Sequence, residues 1–218
     1  LKNRTMNKKL ILFGFAAAML TACGGGEEAE GEGADTDTTA QVESCTYTYD
    51  PESTVLTWTA FKLTEQVGVN GTFNEINVVA NDGSEDMYGT LNGATFDIPI
   101  GNVNYQDQVR DGKIANSFFG NMAETASITC TVTSINETEG SVAITMNGKS
   151  VDYTGEVSVE EETLTLSLTI DITDFEAQTA LDSLGVVCAE KHTGEDGVTK
   201  FWTDVDIAVK TTLIKECK

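Results

Sequence analysis

The sequence predicts an all-β domain, one antiparallel barrel or sandwich of about seven to nine strands over residues 44–218. Three observations lead there. Apolar and polar residues alternate with a period of two through most of this stretch, turn-forming residues separate the alternating runs, and no internal repeat marks a second domain. Strict alternation gives each strand one apolar and one polar face, the pattern of an antiparallel sheet wetted on one side.

In chain order, the runs begin with a short one, Leu56, Trp58 and Ala60, after the Asp50-Pro51 turn. Ala94, Phe96, Ile98 and Ile100 follow the turn signal at residues 81–84. Ile128, Cys130 and Val132 make the next run, and Glu139-Gly140 turns the chain into Val142, Ile144 and Met146. Asn147-Gly148 then separates two alternating runs by two residues, a strong hairpin signal because both residue types tolerate positive φ. Leu164, Leu166, Leu168, Ile170 and Ile172 alternate with threonine, serine and aspartate, as do Val205, Ile207, Val209 and Leu213 with mostly polar residues. Two segments break the alternation. Residues 108–122 place Ile114, Phe118 and Met122 four apart, which predicts a short helix. Phe175, Leu181 and Leu184 fall near one helical face, which predicts a second over 175–184.

The N-terminus sets the compartment. Lys8 and Lys9 precede an apolar run over residues 10–20, and Leu20-Thr21-Ala22-Cys23 closes it. Eleven apolar residues are too few to span a bilayer, which needs about twenty, but they suit a signal-peptide core. Small residues before a cysteine at this distance resemble the lipobox of bacterial lipoproteins. Residues 1–22 therefore read as a signal peptide and Cys23 as the lipidated first residue of the mature chain. Residues 23–43 read as an acidic, flexible tether, since they hold no large apolar side chain apart from Val42 near the domain border. Glu27 and Glu28 fit either a surface-export signal or a plain solvated spacer.

Composition excludes several function classes. The chain carries a formal charge of -22, and losing Lys2, Arg4, Lys8 and Lys9 with the signal peptide takes it to -26. Such a protein repels nucleic acid and anionic membrane surfaces, so an acyl chain is the expected means of membrane attachment. His192 is the one histidine, which precludes a multi-histidine metal site and leaves no spare base for a Ser-His-Asp triad. Cys188 and His192, four apart, read as a disulfide cysteine and a neighbour rather than a metal pair. Glu160-Glu161-Glu162 reads as a charged hairpin turn. Arg110-Asp111 reads as a charge pair at a helix start rather than catalytic machinery. No catalytic residue and no metal ligand is expected.

Several stretches resemble one family. Arg110-Asp111-Gly-Lys-Ile114-Ala-Asn-Ser-Phe118-Phe119 is similar to the R-D-x-x-L-x-x-x-F-F segment of the YceI-like lipid/polyisoprenoid-binding family. Ile144-Thr-Met-Asn-Gly148-Lys149-Ser-Val151 resembles its later strand–turn–strand, without the family's usual lysine-proline after the turn. The opening from Ser53 through Trp58, Phe61 and Phe73, and the close from Trp202 to Val209, resemble its first and last strands, so the resemblance runs in order over 53–213. It implies a lipocalin-like antiparallel barrel of eight strands with one or two short helices, an isoprenoid chain inside and no catalytic centre. The segment 174–200 is longer than in many members and is expected to shape the barrel mouth.

The aromatic and aliphatic residues of the inward faces are then the expected ligand contacts. They are Trp58, Phe73, Phe96, Ile98, Phe118 and Phe119, with Ile128, Val132, Ile144, Met146, Leu166, Leu168, Val205 and Ile207. No basic cluster is evident in the sequence, so a neutral head group is expected at the mouth. No cofactor is expected beyond an isoprenoid or quinone held as ligand. The rival expectation is a filled barrel serving as a surface-exposed interaction module. Four cysteines follow Cys23 and allow three pairings. In a closed up-and-down barrel the first strand lies antiparallel to the last, where Cys45 and Cys217 fall, which leaves Cys130 with Cys188 by elimination. The protein is expected in the cell envelope, anchored to the outer membrane.

Overall fold

The computed structural model describes residues 44–124 and 126–218; the expected signal peptide over 1–22, the expected lipidation site Cys23 and the expected tether over 23–43 lie outside the described residues. The alternating runs do form strands, and burial follows the alternation. Along β8 (Glu139–Met146) every second residue from Gly140 is buried, and along β10 (Thr163–Asp171) Leu164, Leu166, Leu168 and Ile170 are buried while their neighbours are not.

The remaining strands are β1 (Cys45–Tyr49), β2 (Val55–Lys62), β3 (Val67–Phe73), β4 (Asn77–Val79), β5 (Thr95–Pro99), β6 (Val103–Asn104), β7 (Ser127–Ile135), β9 (Lys149–Glu160) and β11 (Phe201–Cys217). Their order is β4-β5-β7-β8-β9-β10-β11-β2-β3-β6. The two ends of that path meet. β3 continues through residues 74–76 into β4, β5 continues through a 3-10 turn into β6, β4 pairs with β5, and β6 pairs with β3. Asn74 N–H donates to the Asn102 carbonyl across the corner at 2.8 Å. These four pieces are two bent strands paired along their length, so the circuit is an antiparallel barrel of eight staves. The corner residues carry no periodic signal, which is why β4 and β6 are not legible as separate elements.

Turn chemistry agrees with the reading. Asn147 and Gly148 have φ of 53° and 70°, as a two-residue hairpin turn with the native twist requires. The Asn147 side chain also accepts from Ala123 N–H and donates to the Phe175 carbonyl, which ties this turn to both neighbouring loops. Glu161, at φ 57°, sits in the charged turn between β9 and β10.

Beyond the barrel, β1 pairs with the far end of β11, with Cys45 opposite Cys217, and the two are joined in a disulfide. The second expected pair is corrected: Cys130 and Cys188 are free thiols. Cys130 lies mid-strand on β7, opposite Phe96 and Ile144, and Cys188 lies on a helix at the barrel's other level. Elimination assumed that every cysteine must pair, and the fold does not bring these two together.

The first expected helix is present as α2 (Gln108–Lys113), a π-helical turn (Ile114–Phe118) and a 3-10 turn (Phe119–Asn121). The Asp107 carboxylate caps it by accepting from the amides of Val109 and Arg110. The second runs well past the expected end, as α3 (Gln178–His192). Its apolar stripe stops near Leu184, and beyond that Val186 and Val187 are exposed. Tertiary contacts hold the rest: Lys113 Nζ donates to the Val187 carbonyl at 2.9 Å, and the His192 ring stacks on Phe201 at 4.0 Å. A third helix, α1 (Met87–Leu91), is too short for periodicity to reveal; it buries Met87, Thr90 and Leu91. Thr90 Oγ1 donates to the Tyr47 carbonyl, which joins α1 to β1 at one end of the barrel.

Candidate ligand-binding site

Inward-facing side chains leave the barrel partly hollow. The upper chamber, near α2 and α3, has a volume of about 520 Å³. The lower one, toward α1, has about 110 Å³. Phe73, Ile128, Met146, Ile170 and Ile207 line both and form the neck between them. The barrel is thus neither a solid core nor an open tube. Leu164, Leu166 and Val132 pack its lower half closely, with exposures of 2%, 6% and 4%.

The structure places all fourteen sequence-predicted residues on these walls. Trp58, Phe118, Phe119 and Val205 line the upper chamber. Phe96, Ile98, Val132, Ile144, Leu166 and Leu168 line the lower. Phe73, Ile128, Met146 and Ile207 are at the neck. Period-two alternation brings the strand residues together, since one face of every stave points to the axis. Phe118 closes the π-helical turn and Phe119 opens the 3-10 turn that follows it. Their rings meet edge to face with centroids 5.0 Å apart, and Phe119 reaches Phe73 at 6.5 Å.

Around the mouth are residues that the alternation could not reveal. Leu181, Leu184, Cys188, Lys191 and His192 of α3 line the upper chamber, so the 174–200 segment does shape the mouth. Tyr105, Arg110 and Lys113 line it from the α2 side, and Lys62 from the end of β2. Arg110 and Asp111 do not form one pair. The Arg110 guanidinium lies 4.7 Å from the centre of the Tyr105 ring, and Asp111 accepts from the Tyr105 amide at 2.6 Å. Tyr105 in turn stacks near Trp58, at 6.4 Å. The absence of a basic cluster, expected from sequence, is corrected by the fold: Lys62, Arg110, Lys113 and Lys191 come from three separate segments and share one cavity wall.

Burial lowers the pKa of His192 to about 4, and the charges of Lys62 and Arg110 push it the same way. Its Nδ1 is buried without a hydrogen-bond partner. Burial also pushes the Cys130 thiol up to about 11, so it is an inert apolar wall residue. Among the described residues no group of three or more histidines, cysteines or acids could hold a metal, and no helix is long and apolar enough to cross a membrane.

The sequence profile of the YceI-like domain matches residues 47–213. Two solved structures share the fold at 15% identity and a TM-score of 0.52. Burkholderia cenocepacia BcnA is matched over 76% of this chain and 99% of its own. A polyisoprenoid binding domain from Saccharophagus degradans, implicated in plant cell wall breakdown, is matched over 78% of this chain and 98% of its own. No curated protein matches the chain.

Proposed function

From the premise that this chain belongs to the YceI-like family, whose profile it matches over residues 47–213, we propose that it binds a polyisoprenoid or other long-chain lipid inside its barrel. The observation that carries this reading is the apolar upper chamber of about 520 Å³, continuous in its wall with a smaller one below. Likeness to the Saccharophagus degradans polyisoprenoid binding domain supports the same ligand class. A chain burying on the order of 400 Å² of apolar surface would gain on the order of 10 kcal/mol, before the costs of association. The protein is a carrier or a sequestering protein rather than an enzyme. It is held at the outer membrane by acylation of Cys23, on the reading of its N-terminus as a lipoprotein signal.

Mass spectrometry of an organic extract of the natively purified full-length protein tests the ligand. An isoprenoid or other long-chain lipid, recovered in near-stoichiometric amount, is the expected result. An empty extract, with no uptake of long-chain lipid in titration, would overturn the reading. For the anchor, Cys23→Ala should move the protein from the membrane fraction to the soluble one; a variant that still pellets after a high-salt wash is anchored elsewhere.

A further inference from the structure

Residues 44–218 hold nine lysines and arginines against twenty-eight aspartates and glutamates. In so acidic a domain, basic residues have every electrostatic reason to spread among the acids. Instead four of the nine, Lys62, Arg110, Lys113 and Lys191, line the upper chamber, and among the described residues Asp107 is its only acidic lining residue.

Their local partners leave this charge largely unspent. Arg110 Nε is 3.7 Å from Asp107 Oδ2, a long contact between two half-exposed side chains. Lys113 Nζ donates to the Val187 carbonyl at 2.9 Å, and Lys62 Nζ to the Lys191 carbonyl at 3.4 Å. Each ammonium has three N–H donors and each guanidinium five, so donors remain toward the chamber. His192 adds a buried ring nitrogen with no partner on the same wall. Burial is the main reason this imidazole stays neutral, and the charges of Lys62 and Arg110, which an anion would also meet, push it the same way.

We infer that the ligand carries a negatively charged head group, a carboxylate or phosphate ester at the end of its apolar chain, seated among Lys62, Arg110, Lys113 and Lys191 at the cavity mouth. The inference rests on the reading of the cavity as a lipid site. The chain enters the barrel and the oxyanion stays at the rim, where charge-assisted hydrogen bonds are available and solvent is near. The neutral head group expected from sequence is thereby replaced.

Three probes with one tail separate head from chain: geranylgeraniol, geranylgeranoic acid and geranylgeranyl phosphate. They are titrated into delipidated full-length protein at low and high ionic strength. The acid or the phosphate should bind at least tenfold more tightly than the alcohol at low salt, with the margin shrinking at high salt. Whichever of the two binds more tightly identifies the oxyanion as carboxylate or phosphate. The margin should fall toward one in Arg110→Gln/Lys191→Gln, which spares the lysines that brace α3, and persist in Lys210→Gln on an exposed position of β11. Circular dichroism verifies that each variant is folded. Equal binding of all three probes would overturn the anionic head group while leaving the lipid site standing. A margin untouched in the double variant would overturn its assignment to this rim. No binding of any probe would overturn both readings.

Discussion

The indole of Trp58 occupies the space that a side chain at residue 71 would need: a Cβ built on Gly71 would lie 2.1 Å from Trp58 Cζ2. The two are paired across β2 and β3, and the ring forms part of the upper chamber wall. Any larger residue at 71 must drive the indole away from this wall. Gly71→Ala should destabilise the domain by about 1–3 kcal/mol, as overpacking of a fixed neighbour does, and should weaken lipid uptake. In a Trp202→Phe background, Trp58 fluorescence reports both effects. An unchanged emission maximum and melting temperature would show that the ring has room to move.

The cysteines should divide into three states. The Cys45–Cys217 disulfide closes a separation of 172 residues, which in the chain-entropy model stabilises by roughly 4–5 kcal/mol. Because β1 lies off the barrel circuit, the Cys45→Ser/Cys217→Ser variant should fray β1 first and lower the melting temperature without loss of the barrel's far-UV signature. Both free cysteines are partly exposed, but Cys188 lines the open upper chamber, whereas Cys130 lines the tighter lower one and is held protonated by burial. With Cys23 replaced by alanine, a thiol titration should therefore find one reactive group in the native protein and two after denaturation without reductant. Bound lipid should protect the reactive one. Two reactive native thiols, or none in the denatured chain, would contradict this arrangement.

Strand faces were legible because period-two alternation is a local property that the barrel converts directly into inside and outside. That is why most of the lining strand residues could be read from Trp58 to Ile207 without knowledge of the topology, whereas Phe73, Phe118 and Phe119 came from the family resemblance. The mouth was not legible for the opposite reason. Lys62 ends a strand, Arg110 and Lys113 sit on a helix of six residues, and Lys191 lies beyond the apolar stripe of α3. Only tertiary packing makes them neighbours. The same limit applies to the cysteines: strand order implied the Cys45–Cys217 pair, but nothing in the spacing of Cys130 and Cys188 could report that they sit at different levels of the barrel.

Acid should destabilise the protein through His192. Its folded-state pKa is lowered to about 4 from the ordinary 6.5, first by burial, then by Lys62 on β2 and Arg110 on α2. The unfolded chain takes up a proton as pH falls through about 6.5, while the folded chain resists until about 4. The unfolded state therefore binds more protons in that window, and the contribution to stability declines as pH drops across it. The ring is only half-buried, so solvent screens part of the effect. Replacing it by His192→Phe keeps a ring to stack on Phe201 and removes the titration. The difference in melting temperature between wild type and variant should change between pH 7 and pH 4.5. A constant difference would show that His192 titrates normally in the fold.

The neck should act as a gauge of chain length. Ile207 lines both chambers, paired with Trp58 on β2 and Leu168 on β10, and it is less tightly buried than Met146, which also lines both and is 6% exposed. A bulkier side chain there can be accommodated at the expense of the passage, since the void on either side relieves the overpacking that a solid core would suffer. Ile207→Trp should thus leave a folded barrel whose lower chamber is closed off. A long prenol such as solanesol, whose tail must pass the neck to be fully buried, should lose affinity at least tenfold, and a short one such as geraniol should lose less. The readout is the preference for length, measured as the ratio of the two affinities in wild type and variant. An unchanged ratio would mean that the chain stays in the upper chamber, and that Phe96, Ile98 and Leu168 are core residues with no contact to the ligand.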